Sequence, residues 1–288
     1  MSESVENGWW SEFCDACGTA FSLKVRERLH HEQTPYQAIE VYATETFGNL
    51  MVIDGCVMLT SRDNFLYHEM MSHPVLFTHP NPQRVLIIGG GDCGTLREVL
   101  RHESVEQAWQ VDIDAGVTRA AERYFPELCE ANGDPRAALH FADGIQWVKE
   151  AADGSVDVII VDSTDPVGPA EGLFTAEFFS HCHRILAEDG LLVQQSESPL
   201  LHLPLIQSMR AAMREAGFVD QVTLPFPQPV YPSGWWSATI AAKAPIAGFR
   251  SDAAAAKPFA TRYYSAALHQ GALALPPFLA EALADTAS

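Results

Sequence analysis

Three features of this 288-residue sequence predict an α/β protein: a mostly parallel sheet with helices on both faces, preceded by a small antiparallel β unit. First, from residue 83 onward short continuous apolar runs, such as RVLII and DVIIV, alternate with amphipathic segments. Strands buried on both faces and separated by helices have this rhythm. Second, residues 22–60 alternate at period two and carry hairpin signals. Third, the loop GGGDCG joins an apolar run to a helical one, where a nucleotide-binding turn sits in such folds.

The elements follow in order. QAIEVY alternates, and LMVI and CVML flank Asp54-Gly55, a dipeptide suited to a two-residue turn. NFLYHEMMSHPVLF repeats its apolar residues at helical spacing until Pro74, and HPNP at 79–82 reads as a linker. Then RVLIIGGG, AWQVDID, ALHFADG, DVIIVDSTDP and GLLVQQS read as strands that end in polar loops. TLREVLRH, AGVTRAAERYF, GIQWVKEAA, TAEFFSHCHRIL and PLIQSMRAAMREAG read as the helices among them. The expected division is residues 1–75, a β domain with a connecting helix, and residues 76–288, a larger α/β domain.

Composition excludes several functions. Lys and Arg total 18 against 37 Asp and Glu, a net charge of −19. Such a field repels nucleic acid and anionic membranes and attracts cations, so neither is an expected partner. No run approaches the roughly 20 apolar residues that span a bilayer. The acidic start MSESVENGWWSEF lacks signal-peptide features, which makes a cytoplasmic location the expectation. The six cysteines suit reduced thiols better than a disulfide framework. Cys14-x-x-Cys17 is half of a zinc pattern without a second CxxC, and His181, Cys182 and His183 sit in a helical run where neighbours diverge. No metal is expected.

The chemistry gathers at strand ends. Gly89, Gly91 and Gly94 satisfy G-x-G-x-x-G, and Asp112 lies 21 residues past Gly91, placed to accept from both hydroxyls of a ribose. Asp143-Gly144 ends the third strand, where an adenine amino group could be held. Asp92 inside the glycine loop opposes a pyrophosphate, and it equally opposes the carboxylate of an amino-acid tail. A tail ending in an ammonium would pair with it. Asp162 and Asp165, in VDSTDPVGPA, end the next strand. These five aspartates have no Lys or Arg among their immediate neighbours, should converge on one crevice, and need cations from outside. A helix-capping role for Asp92 is the competing reading.

Here the sequence resembles the spermidine synthase family through nearly its whole length. GWWSEF, FGNLMVIDG, RDNFLYHEMM, HPNPQRVLIIGGGDCG, VDIDAGV, VDSTDPVGPAEGLF, YPSG and RYYSAALH occur in family order. The resemblance implies a methyltransferase-like Rossmann fold with a small N-terminal antiparallel β domain, assembled as a homodimer or homotetramer. It implies transfer of the aminopropyl group of decarboxylated S-adenosylmethionine to putrescine, the donor being a co-substrate, with no cofactor. Carried over position by position, Gln37, Asp112, Asp143 and Gly144 hold the nucleoside, Pro169 lies beside the base, and Asp92 binds the aminopropyl amine. Tyr67, His68, Asp165 and Tyr231 match the amine site, with Gln195 at its floor and Trp9 as a lid; Asp162 matches the general base. Four departures stand out. Cys93 replaces a glycine, Asp112 a longer glutamate, Met58 and Ser61 a Gln and a Glu, and Trp235-Trp236 is bulky enough to shorten the amine pocket.

Two rivals keep the same fold. A methyltransferase would need room for a donor carboxylate beside Asp92, and a non-catalytic polyamine binder would not need Asp162. Cadaverine, agmatine and spermidine remain alternative acceptors.

Overall fold

The structure, a computed structural model, describes residues 5–166 and 168–284. The N-terminal sheet is an antiparallel meander of β1 (Val5–Glu6), β2 (Trp9–Cys14), β3 (Thr19–Gln33), β4 (Ala38–Thr44), β5 (Asn49–Ile53) and β6 (Cys56–Thr60). At the β5–β6 turn, Asp54 and Gly55 have φ of 51° and 84°, the pair of left-handed residues that a type I′ hairpin requires. The sheet starts before the expected residue 22: β2 pairs with β3 from Trp9↔Lys24 to Cys14↔Thr19. Its alternation is hard to read because aromatic, charged and small residues mix on this ribbon.

Both faces of this sheet are covered. Trp10, Leu23, Leu50 and Val52 pack with Val230 on one side. Ile39, Val41, Met51 and Leu59 pack on the other against Val117, Ala120 and Ala121 of a helix belonging to the larger unit.

Next comes α1 (Asn64–Thr78), which does not stop at Pro74 as its spacing predicts but runs one turn further. A proline inside a helix costs about 3 kcal/mol. Continuous burial from Tyr67 to Phe77 outweighs that cost, and Thr78 Oγ1 donates to the Pro74 carbonyl at 2.8 Å. This helix packs on the second sheet, so the expected division at residue 75 falls inside it.

The second sheet contains β7 (Arg84–Gly89), β8 (Gln107–Asp112), β9 (Ala137–Phe141), β10 (Val156–Asp162), β11 (Leu186–Gln195), β12 (Asp220–Pro227) and β13 (Trp235–Ala242). Their order is β12-β13-β11-β10-β7-β8-β9. The five strands β9 to β11 pair in parallel, and β13 and β12 close one edge antiparallel. This is the predicted mostly parallel fold. Five helices follow individual strands: α2 (Gly94–Leu100), α3 (Ala115–Tyr124), α4 (Gly144–Glu150), α5 (Ala176–Ile185) and α6 (Leu203–Glu215). Chain order reverses direction between β7 and β10, which is where ligands lodge in such sheets. Among the described residues, no helix is long and apolar enough to cross a membrane.

The C-terminal segment is fastened through one buried carboxylate. Glu69, only 1% exposed, accepts from the backbone N–H groups of Arg262, Tyr263 and Tyr264 at 2.8, 2.9 and 2.7 Å. Removing it strands three donors. Glu69→Ala should therefore lose about 2–4 kcal/mol in denaturant unfolding, and Glu69→Gln less. Equal stability of the Ala variant and the wild type would contradict this role.

Candidate active site

Strand register decides which side chains meet. Gly89 pairs with Asp162 across β7 and β10, and Asp112 pairs with Phe141 across β8 and β9. The parallel strands therefore end level, and their loops open into one cleft of about 310 Å³. Asp92, Asp112, Asp143, Asp162 and Asp165 all line it, joined by Asp54 from the small sheet; among the described residues no Lys or Arg lines it. The convergence expected from sequence is present.

The glycine loop lets these carboxylates approach. Gly89 has φ of +82°, and a Cβ there would collide with the Asp162 carbonyl. A Cβ on Gly91 would lie 2.8 Å from Asp112 Oδ2. Cys93 holds φ of +68° while fully buried, a conformation that favours glycine; its backbone carries the strain that the departure at this position implies.

Asp162 sits at the switch point. Tyr67 donates to its Oδ1 at 2.8 Å and Thr95 to its Oδ2 at 2.6 Å. Burial and then repulsion from Asp92 push its carboxyl above the ordinary range, with His68 and the two hydroxyls opposing. Asp92 differs. Burial pushes its carboxyl up, but His68 and the Gly94 N–H outweigh burial and hold it low. His68 Nε2 lies 3.2 Å from Asp92 Oδ1, and the Gly94 N–H donates to that same oxygen at 2.6 Å. The expectation that no aspartate pairs internally needs correction: Asp92 has a histidine partner supplied by α1, 24 residues away in sequence. Its bond to the Gly94 N–H, the first residue of α2, gives it a role at the start of that helix as well.

The side of the cleft expected to hold a nucleoside is built from strand ends and the small sheet. Asp112 accepts from the Asp114 N–H at 2.8 Å, and burial pushes its carboxyl up to about 6. Asp143 is exposed and caps α4 through Ile145 and Gln146, beside Gly144 in the cleft lining. Gln37 lines the cleft while its Nε2 donates to Asp114 at 3.1 Å. Asp114 also accepts from Thr34 Oγ1 at 2.7 Å and the Gly116 N–H at 2.8 Å, which clamps the small sheet to α3. The Pro169 side chain, expected beside the base, lies outside the described residues.

A smaller cavity continues from the cleft, lined by Glu12, Met58, Tyr67, Asp165, Gln195, Tyr231 and Trp236. Tyr231 donates to the Met58 carbonyl at 2.6 Å, and its ring meets Trp236 at 4.7 Å and Tyr67 at 5.9 Å. Trp235 turns away onto Phe278, so only one of the paired tryptophans reaches the pocket. Ser61 is also outside the cleft, its hydroxyl bonded to the Asn49 N–H. Trp9 lines neither cavity; Glu12, from the same strand, does, and accepts from the Val57 N–H at 2.7 Å.

Sequence reasoning missed Thr95, Glu12 and Glu197. Thr95 follows the glycine motif directly and could have been found there; the two glutamates reach the site only through folding. Gln195 Nε2 donates to Glu197 Oε1 at 3.4 Å, and Glu197 hydrogen-bonds Asp165. Burial, then repulsion and hydrogen bonding from Glu197, push the Asp165 carboxyl up to about 8, and burial takes Glu12 to about 6.

Two family descriptions match the chain: "Spermine/spermidine synthase domain" over residues 64–251 and "Spermidine synthase tetramerisation domain" over residues 8–61. The polyamine aminopropyltransferase of Methylococcus capsulatus is 68% identical over 277 residues, covering 96% of this chain and 97% of that protein. That of Nitrosococcus oceani is 63% identical over 272 residues, covering 94% and 95%. Among solved structures, a spermidine synthase in complex with the transition state analogue AdoDATO superposes with a TM-score of 0.92 at 35% identity, covering 97% and 96% of the two chains. The spermidine synthase of Thermotoga maritima gives 0.90 at 34%, covering 97% and 95%.

The raised carboxyl of Asp165 has a stability consequence. Its folded-state value of about 8 exceeds the unfolded value of about 3.9, so the folded chain binds more protons between the two. Stability of the ligand-free protein then falls as pH rises through that window. Asp165→Asn removes this loss and should gain about 0.5–2 kcal/mol at pH 8, with little gain at pH 5. Parallel stability–pH curves for the two proteins would contradict the assignment.

Proposed function

The chain belongs to the spermine/spermidine synthase family, and on that premise we propose that this aminopropyltransferase takes decarboxylated S-adenosylmethionine as donor and putrescine as acceptor, giving spermidine and 5′-methylthioadenosine. One observation carries the reading: the cleft is lined by six aspartates and, among the described residues, by no Lys or Arg, with His68 as its one basic side chain. Anionic groups of dinucleotides and of intact amino-acid tails are repelled there, and a dication is attracted.

The reaction follows from these groups. The sulfonium is already an activated leaving group, so neither metal nor organic cofactor is required for the displacement. A carbon–nitrogen bond forms as the carbon–sulfur bond breaks, the sulfur leaves as a neutral thioether, and the nitrogen sheds one proton. An alkylammonium has a pKa near about 10.4 and cannot attack while protonated. Asp162 is the base in this reading: Tyr67 and Thr95 fix its two oxygens, and burial raises its affinity for a proton. Carboxylates around an ammonium favour its charged form, so alignment and exclusion of water must compensate.

The donor tail ammonium pairs with Asp92, and its charge there disfavours the imidazolium of His68, which shares the same carboxylate. Asp112, Gln37 and Asp143 hold the nucleoside. Asp165 takes the near end of the diamine; Glu12 forms the acidic far wall, with Glu197 beside Asp165, and Trp236 behind Tyr231 limits its length. Self-association is the reading for residues 8–61, supported by the family description and by Trp9 and Phe13, 47% and 64% exposed on β2.

Incubation with the decarboxylated donor and a panel of putrescine, cadaverine, agmatine and spermidine, with products identified by mass, should show spermidine as the dominant product. Transfer to another amine in preference would overturn the acceptor assignment. Asp162→Asn should lower kcat by about 10²–10⁴-fold while donor affinity stays within a few-fold. Near-normal turnover in that variant would assign the base elsewhere.

A further inference from the structure

Away from the reacting atoms, the turn between β2 and β3 carries Cys14-Asp15-Ala16-Cys17-Gly18. The Cys17 N–H donates to the Cys14 carbonyl at 3.1 Å, and the Gly18 N–H to that of Asp15 at 3.3 Å. Gly18 has φ of +64°, so the chain reverses tightly and keeps the two thiols together. One ligand atom from each of Cys14, Cys17 and His202 lies within 4.8 Å of the others. Cys17 Sγ is 3.4 Å from His202 Nε2. A tetrahedral zinc with bonds of about 2.3 Å to sulfur and about 2.05 Å to nitrogen separates such a pair by about 3.6 Å.

The other ring nitrogen supplies a second, independent observation. His202 Nδ1 lies 3.0 Å from Glu197 Oε2, a carboxylate with its side chain 2% exposed. Nδ1 is buried and makes no hydrogen bond; a carboxylate at this distance is placed to accept its proton once a metal orients the ring, which leaves the Nε2 lone pair for the metal, the usual outer arrangement around metal-bound histidine. We propose that Cys14, Cys17 and His202 hold one zinc ion, with water in the fourth position and Glu197 as a positioning residue. Two thiolates and an imidazole form a soft donor set suited to zinc, and binding releases the two thiol protons. The pattern escapes a search for paired CxxC motifs because the third ligand arrives from 185 residues away.

None of the three ligands lines the main cleft, so the role is structural: the ion ties the β2–β3 hairpin to the loop after β11. That loop carries Glu197, which reaches Asp165. The test needs no turnover. The full-length chain, purified with a reductant and without chelators, should contain one zinc per chain by elemental mass spectrometry. The metal-free protein should take up Co²⁺ with tetrahedral d–d bands and a near-ultraviolet sulfur-to-cobalt charge-transfer band. Cys14→Ser and Cys17→Ser should lose both signatures, and Glu197→Gln should weaken metal affinity by about 10–100-fold. If the serine variants fail to fold, the cobalt spectrum of the wild type decides alone. The proposal is overturned if the reduced wild type shows no thiolate–cobalt band, if the serine variants bind as the wild type does, or if the native thiols prove to be joined as a Cys14–Cys17 disulfide.

Discussion

Charge of one sign, gathered where a parallel sheet ends, governs how this protein is built. Five strand ends finish level, and the loops beyond them bring five aspartates to one cleft, where Asp54 of the small sheet joins them and, among the described residues, no lysine or arginine does. Burying like charges is unfavourable unless something compensates. Here the compensation is partial and local: two hydroxyls on Asp162, a histidine and a backbone N–H on Asp92, a backbone N–H on Asp112. What is left over appears as raised proton affinity at Asp112, Asp162 and Asp165. On the proposed reading a cationic guest would complete the site electrostatically and couple its binding to the stability of the fold.

The small sheet is part of this site rather than an appendage. Its one face packs on α3, and Asp114 gathers Thr34 and Gln37 onto the start of that helix. Met58 and Glu12 then form walls of the smaller cavity. The β unit is thus held to α3, the helix that follows β8, by packing and by hydrogen bonds to Asp114.

Legibility from sequence followed the range of the physics. Local signals were reliable: the Asp54-Gly55 turn, the glycine loop, the strand-end aspartates and the alternation of strands and helices all rest on neighbours in the chain. Long-range compensation was not legible. Nothing near Asp92 announces His68, nothing near Asp165 announces Glu197, and CDACG does not reveal His202. Pro74 misled for the same reason, since the packing that tolerates it comes from distant strands. Trp235 and Trp236 looked alike in sequence, yet alternation along β13 sends only one toward the smaller cavity. Trp9 and Trp10 likewise part company, since only Trp10 is buried while Trp9 is 47% exposed.

The central claim, that acid side chains choose a cation-tailed nucleoside over an anion-tailed one, is tested most directly by calorimetric binding of decarboxylated and intact S-adenosylmethionine to the wild type and Asp92→Asn. The account requires the wild type to prefer the decarboxylated form by about tenfold or more, about 1.4 kcal/mol, with the gap narrowed in the variant. Equal affinity of the wild type for the two nucleosides would contradict it.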